Sequence, residues 1–358
     1  MRERLPYVDS LRAIAALSVL GFHAAFVLDE VGGDGLGPWL AELDVGVVLF
    51  FAISGFLLYR PFVVARIEGA PVPSLRDYAR RRVLRIVPAY WVVLTVIVVT
   101  VGREGVFTAE GIPTYYGFLQ SLRPETVTGG IAQAWTLGVE LSFYAVLPLL
   151  ALAARRLGSE WALLAALFAG SVAFKAVAAA IADPDGPAYL PLLISLPAQL
   201  DHFVVGMALA VVSAGGGGEA ERLVERAPWL PWLGAAAAFA LLGADLGAGG
   251  AVARELTDHA LQSVVALGLL LPAVLGAARG GGWVRRLLGR PELAWAGMVS
   301  YGVYLWHLDV LRELDASGLP GPAVVALGLA LSLGLGAASW YGIERRFVRG
   351  RYLRRRGR

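Results

Sequence analysis

The chain has 358 residues, 57% of them hydrophobic and 16% charged, with no cysteine and a net charge of +3. Mean hydropathy is +0.64, and apolar runs near the twenty residues that cross about 30 Å of hydrocarbon recur throughout, which excludes a soluble domain and marks a polytopic membrane protein. Without cysteine there are no disulfides, thiol nucleophiles or thiolate metal sites, so any covalent catalysis must use a hydroxyl, a carboxylate or an imidazole.

Ten spans are predicted, at 10–30, 44–62, 83–101, 136–154, 160–181, 191–213, 229–246, 257–278, 291–312 and 320–341. The first carries Arg12 near its start and His23 deep inside it. Eleven residues are close to three helical turns, so both side chains share a face, separated by about 16 Å of rise. Arg12 has an ordinary role available, snorkelling to headgroups. His23 is harder to dismiss, because an ionisable group inside a span is expensive and is usually functional.

The second span, VGVVLFFAISGFLLYRPF, centres on Ser54 and Gly55. Close helix packing explains this pair better than a nucleophilic serine, which would need a strained turn. The third span opens with a cationic stretch containing Arg80, Arg81, Arg82 and Arg85. Arg81 and Arg85, four apart, can share a face, and guanidinium groups match phosphate oxygens bidentately. A phosphorylated cytoplasmic cofactor and anionic lipid headgroups are both suitable partners. A connection of roughly 102–135 follows, long enough for a short interfacial helix or a lid.

The fourth span begins Trp135-Thr136-Leu137-Gly138-Val139-Glu140, with Tyr144 at i+4 from Glu140. A carboxylate there either orients His23 as a general base or tethers two helices. In the sixth span Asp201 and His202 are adjacent and point different ways, so they need not act together. Lys175, the chain's one lysine, is expected to snorkel outward. The ninth span ends SYGVYLWHLD, placing His307 near an interface. The four histidines, His23, His202, His259 and His307, stand singly in sequence without the spacing of a zinc site, so no metal is expected.

Charge sets an expected topology. Of the 31 basic residues, 25 lie in or beside segments on the side of the termini, against four on the other side: Arg103, Arg123, Arg254 and Arg312. That asymmetry predicts N-in and C-in. His23, Glu140 and His307 then fall in the outer half, and the arginines at the inner side. The same placement argues against nucleic acid as a partner. No cleavable signal peptide is expected, since the first apolar run lacks a convincing cleavage site. The chain divides into a membrane domain, 1–345, and a basic cytoplasmic tail, 346–358.

These residues resemble the acyltransferase-3 family of integral-membrane O-acyltransferases. The likeness rests on LPYVDSLRAIAALSVLGFH, LFFAISGFLL, RRRVLRIVPAYW, AWTLGVELSFY, HFVVGM and SYGVYLWH, in order along essentially the whole chain. The resemblance implies an all-α transmembrane bundle in the cell membrane. Its implied chemistry is transfer of an acyl group, commonly acetyl, from coenzyme A to a hydroxyl of a glycan, sugar, antibiotic or other small acceptor. It makes His23 the catalytic residue, with Arg12 as its motif partner and Arg80, Arg81, Arg82 and Arg85 as the donor-binding group. His23 would act as general base or as transient acyl carrier, with Glu140 or Asp9 assisting electrostatically, and Tyr144 and His307 would contact substrate. Two positions depart from the family's pattern, Ser10 and Asp309. Some relatives carry a fused extracytoplasmic hydrolase-like domain for which this chain has no room, so transfer is expected to finish in the membrane domain or on a separate partner. The rival class is a transporter of a small anionic or glycosidic solute, for which spans with buried charges are equally natural.

Overall fold

Residues 6–32, 35–183, 186–244, 251–275 and 282–349 are described by a computed structural model. Every regular element among them is helical. Ten principal helices fall on the ten predicted intervals: α1 (Pro6–Val27), α2 (Val45–Ile67), α3 (Leu75–Val101), α4 (Trp135–Leu157), α5 (Glu160–Ile181), α6 (Leu196–Ala214), α7 (Leu230–Gly243), α8 (Ala251–Val274), α9 (Pro291–Ala316) and α10 (Gly321–Ser339). Eight are long and apolar enough to cross a membrane. The exceptions have plain causes. Helix α7 has 14 residues, about 21 Å of rise, and α9 ends in a polar run containing Asp309, Arg312, Glu313 and Asp315. The expected ends of the seventh and eighth spans, 245–246 and 276–278, lie outside the described residues. So does most of the basic tail, 350–358.

Local sequence sets the helix ends. Ser74 caps α3 by accepting from the Asp77 amide at 3.4 Å, and Gly102 ends it at φ 74°, the left-handed C-cap that glycine adopts without steric cost. Two close crossings fix the bundle. A Cβ on Gly206 would come within 1.8 Å of the Ala52 carbonyl oxygen, and one on Gly55 within 2.2 Å of that of Phe203, so α2 and α6 touch backbone to backbone as small-residue packing in membranes allows. Gly55 therefore has the packing role expected of it.

Helices α1 and α9 lie side by side and run parallel: Gly297 abuts the Asp9 carbonyl, and further along His307 meets His23. Helix α9 also aligns with α3, since the Tyr301 hydroxyl donates to Ile86 O at 2.8 Å and Arg103 pairs with Asp309 at 2.6 Å. One end of the bundle thus carries Arg12 and the start of α3, the other His23, His307 and Arg103. The long connection after α3 packs against the helices. It contains a helical turn, Ile112–Tyr116, and is held down by Tyr90 and Trp91, whose side chains donate to the carbonyls of Tyr115 and Tyr116.

Candidate active site

A cavity of about 760 Å³ lies between α2, α3, α4 and α9. Arg12, Arg60, Arg82 and Arg85 line it, against two carboxylates, Glu68 and Glu140. The Nε atoms of Arg12 and Arg82 are buried and have no hydrogen-bond partner among the described residues. Buried guanidinium donors without acceptors are costly, and an anion in the cavity would supply the missing acceptors. Tyr144 lines the same space, with the Arg82 guanidinium 5.8 Å from its ring centroid, within cation–π range.

Two of the four expected donor-binding arginines line this cavity and two do not. Successive helical residues point about 100° apart, and α3 turns Arg82 and Arg85, three apart, inward. Arg80 is exposed, and Arg81 lies beside Tyr78 in a separate small recess. The inward pair is therefore 82/85 and not the expected 81/85. Arg60, in the YRPF end of α2, joins them from a position where a basic residue at a span end carries no catalytic signal of its own. It lines the cavity and its Nε donates to Ser213 Oγ at 3.1 Å.

At the other end of α1, His23 and His307 form a pair, His307 Nε2 lying 2.9 Å from His23 Nδ1. His307 Nδ1 is 2.8 Å from Tyr304 O and 3.2 Å from Val303 O, and His23 Nδ1 is 3.0 Å from Val19 O. Carbonyl oxygens only accept, so both Nδ1 atoms carry hydrogen. Neutral His307 then offers its Nε2 lone pair to His23 Nδ1–H, which leaves His23 Nε2 with its lone pair free. His307 is 1% exposed, so it is an interior group that orients its neighbour and not an interfacial one. His23 is half-buried.

Neither carboxylate expected beside His23 is there. Asp9 precedes it by fourteen residues, about 21 Å along α1. Glu140 accepts from Ser54 Oγ at 2.5 Å and lines the arginine cavity. It lies five residues into α4 and faces the cavity that Arg12, Arg82 and Arg85 line, where those arginines supply the compensating charge that a half-buried carboxylate needs. It tethers α4 to α2, and the group that orients His23 is an imidazole.

The other two histidines also pair in space. His202 and His259 stack with centroids 4.7 Å apart, and Asp201, His202 and His259 bring ligand-capable atoms within 4.8 Å of one another. The cation at this spot is Lys175. It is 1% exposed, pairs with Asp201 and approaches His259 Nδ1 at 2.8 Å, while Glu255 meets His259 Nε2 at 3.1 Å. Lys175 does not snorkel, because Asp201 and His259 give its ammonium partners inside. Asp201 and His202, adjacent in sequence, do share one cluster.

An acyltransferase-domain family matches residues 5–341. The chain belongs to the acyltransferase-3 family. It is 29% identical over 323 residues to the exopolysaccharide production protein ExoZ of Rhizobium meliloti, covering 85% of this chain and 89% of that one. It is 24% identical over 327 residues to a putative peptidoglycan O-acetyltransferase, YrhL, of Bacillus subtilis, covering 86% of this chain but 48% of that one. To the acyltransferase MdmB of Streptomyces mycarofaciens it is 26% identical over 334 residues, covering 86% and 79%. The chain thus spans about half the length of the Bacillus relative. No solved structure matches it. Of the two classes left open by the sequence, family membership supports the enzyme: this is a multi-pass membrane enzyme of acyl transfer.

Proposed function

We infer that the chain is an O-acyltransferase that moves an acyl group, acetyl by preference, from acyl-CoA to a hydroxyl of a glycan or related acceptor. One observation carries this reading: α1 presents Arg12 to an arginine-lined cavity and, eleven residues on, His23 with a free Nε2. The donor's phosphates bind Arg12, Arg60, Arg82 and Arg85, where the unpartnered Nε atoms of Arg12 and Arg82 await an anion, and the thioester extends toward His23. The acceptor oxygen attacks the acyl carbonyl carbon as His23 Nε2 takes its proton. The C–S bond breaks, and the leaving thiolate recovers that proton from the imidazolium, which restores neutral His23. His307 and Val19 O both accept from His23 Nδ1–H, so the backbone carbonyl fixes the tautomer and His307 adds a second restraint on the ring, the orienting part that a carboxylate plays in hydrolytic triads.

The termini and the arginine cavity face the cytoplasm of a cell membrane, in keeping with the basic segments on that side. A glycan acceptor is supported by the names of relatives, a putative peptidoglycan O-acetyltransferase and an exopolysaccharide production protein. The test uses purified protein in lipid nanodiscs with acetyl-CoA and fragments of bacterial polysaccharide. Acceptor-dependent release of free CoA is expected. His23→Ala should lower kcat by about 10²–10⁴, the usual worth of a positioned base. A folded His23→Ala protein with full activity ends the proposal.

A further inference from the structure

The arginine cavity and the histidine pair are neighbours, yet neither His23 nor His307 lines the cavity. Tyr304 stands between them. Its side chain belongs to the cavity wall, its ring centroid lies 5.7 Å from that of His307, and its carbonyl oxygen accepts from His307 Nδ1. The hydroxyl donates to Gln133 O at 2.8 Å and meets Thr136 Oγ1 at 2.7 Å. In return Gln133 Nε2 donates to the carbonyls of Tyr304 and Leu305, both at 3.1 Å. These bonds, all buried, close α9 onto the start of α4 beside the cavity, which Thr136 and Tyr304 both line. Phe50 flanks the ring, centroids 6.1 Å apart, and completes the wall.

We propose that Tyr304 couples donor entry to transfer: latched to Thr136 and Gln133, its ring closes the passage from the donor cavity to the His23–His307 pair, and releasing the hydroxyl lets the thioester through. This rests on the donor-binding reading above. The chemistry gives the latch a purpose. A thioester held beside an imidazole base with water present is hydrolysed: water oxygen bonds to the acyl carbon, the C–S bond breaks, and free CoA and a carboxylic acid result. Excluding the thioester until the acceptor is in place suppresses that loss. Simple core packing would use the ring alone, since a buried hydroxyl adds a polar group that must be satisfied.

The experiment measures acetyl-CoA hydrolysis without acceptor, acceptor-dependent transfer and CoA affinity by titration calorimetry, all in nanodiscs. Tyr304→Phe keeps the ring and removes the latch, and Thr136→Val removes the partner hydroxyl at nearly constant volume. Each should raise acceptor-independent hydrolysis by about tenfold, the shift in a closed–open ratio expected from one lost buried hydrogen bond. Tyr304→Trp should lower both hydrolysis and transfer by at least about tenfold with CoA affinity within about twofold, because a larger ring blocks the passage and leaves the arginines untouched. A residue that merely joins two helices never raises hydrolysis when truncated. If Tyr304→Phe and Thr136→Val leave hydrolysis unchanged or lower it, or if Tyr304→Trp transfers normally, the latch is wrong while the donor reading stands. If the wild-type protein neither binds CoA nor consumes acetyl-CoA, both fall together.

Discussion

Replacing His307 by leucine isolates the orienting role of the second imidazole. The substitution deletes one hydrogen bond, His307 Nε2 to His23 Nδ1 at 2.9 Å, and keeps the other that His23 Nδ1–H makes, to Val19 O at 3.0 Å. The correct tautomer of His23 therefore survives, and what is lost is one of two restraints on its ring. A buried neutral hydrogen bond contributes about 0.5–1.5 kcal/mol net, and each 1.36 kcal/mol in the barrier is tenfold in rate, so kcat should fall by about two- to thirteenfold. The donor's KM should not move, because the arginines lie at the other end of α1. His307→Gln, whose Oε1 can accept from His23 Nδ1–H, should recover part of the loss. The assay is steady-state CoA release with acetyl-CoA varied at saturating acceptor, alongside a thermal melt to establish folding. A drop as deep as that of His23→Ala would mean that His307 exchanges protons in the reaction. An unchanged kcat, or a rise in KM alone, would mean that it orients nothing.

Among the arginines, Arg82→Gln and Arg85→Gln should each weaken donor binding by about 10- to 100-fold, the worth of a charge-assisted bond to phosphate, while the exposed Arg80→Gln should not; equal effects at all three would show that α3 acts through surface potential. Lys175→Met should destabilise the protein by about 3–5 kcal/mol, because it strands the buried Asp201 carboxylate, and adding Asp201→Asn should restore most of the melting temperature. Additive losses in that double variant would show that the pair is not coupled. Gly206→Ala, which drives a methyl group into the Ala52 carbonyl, should cost about 1–3 kcal/mol by overpacking and reduce the yield of folded protein. A normal melt would contradict the tight α2–α6 crossing.

Periodicity and hydropathy made the helices legible because each apolar run is a local property: an interval of about twenty residues either can or cannot cross a bilayer. The same local rule placed Arg12 and His23 on one face of α1. What it could not supply is rotation and neighbourhood across helices. Arg81/Arg85 and Arg82/Arg85 are equally good faces on paper, and only the position of α2 and α4 around α3 selects the second. Arg60 was hidden for a different reason, since a basic residue at a span end already has a topological explanation.

The histidines make the point most sharply. Four isolated residues in sequence become two pairs in space, His23 with His307 and His202 with His259, and the partners are separated by 284 residues in the first pair. No spacing rule reaches that far. A physical signal was nevertheless present: an imidazole, a lysine or a carboxylate buried in a span must find a partner, and the chain has few candidates. Hydrolytic triads suggest a carboxylate as the partner of His23, but the carboxylate next to the pair is claimed already. Asp309 pairs with Arg103 at 2.6 Å, which neutralises the charge that its departure from the family's pattern introduces next to His307. With that aspartate satisfied, the neutral His307 is left as the group able to accept from His23, and the free lone pair on His23 Nε2 follows from its two hydrogen bonds.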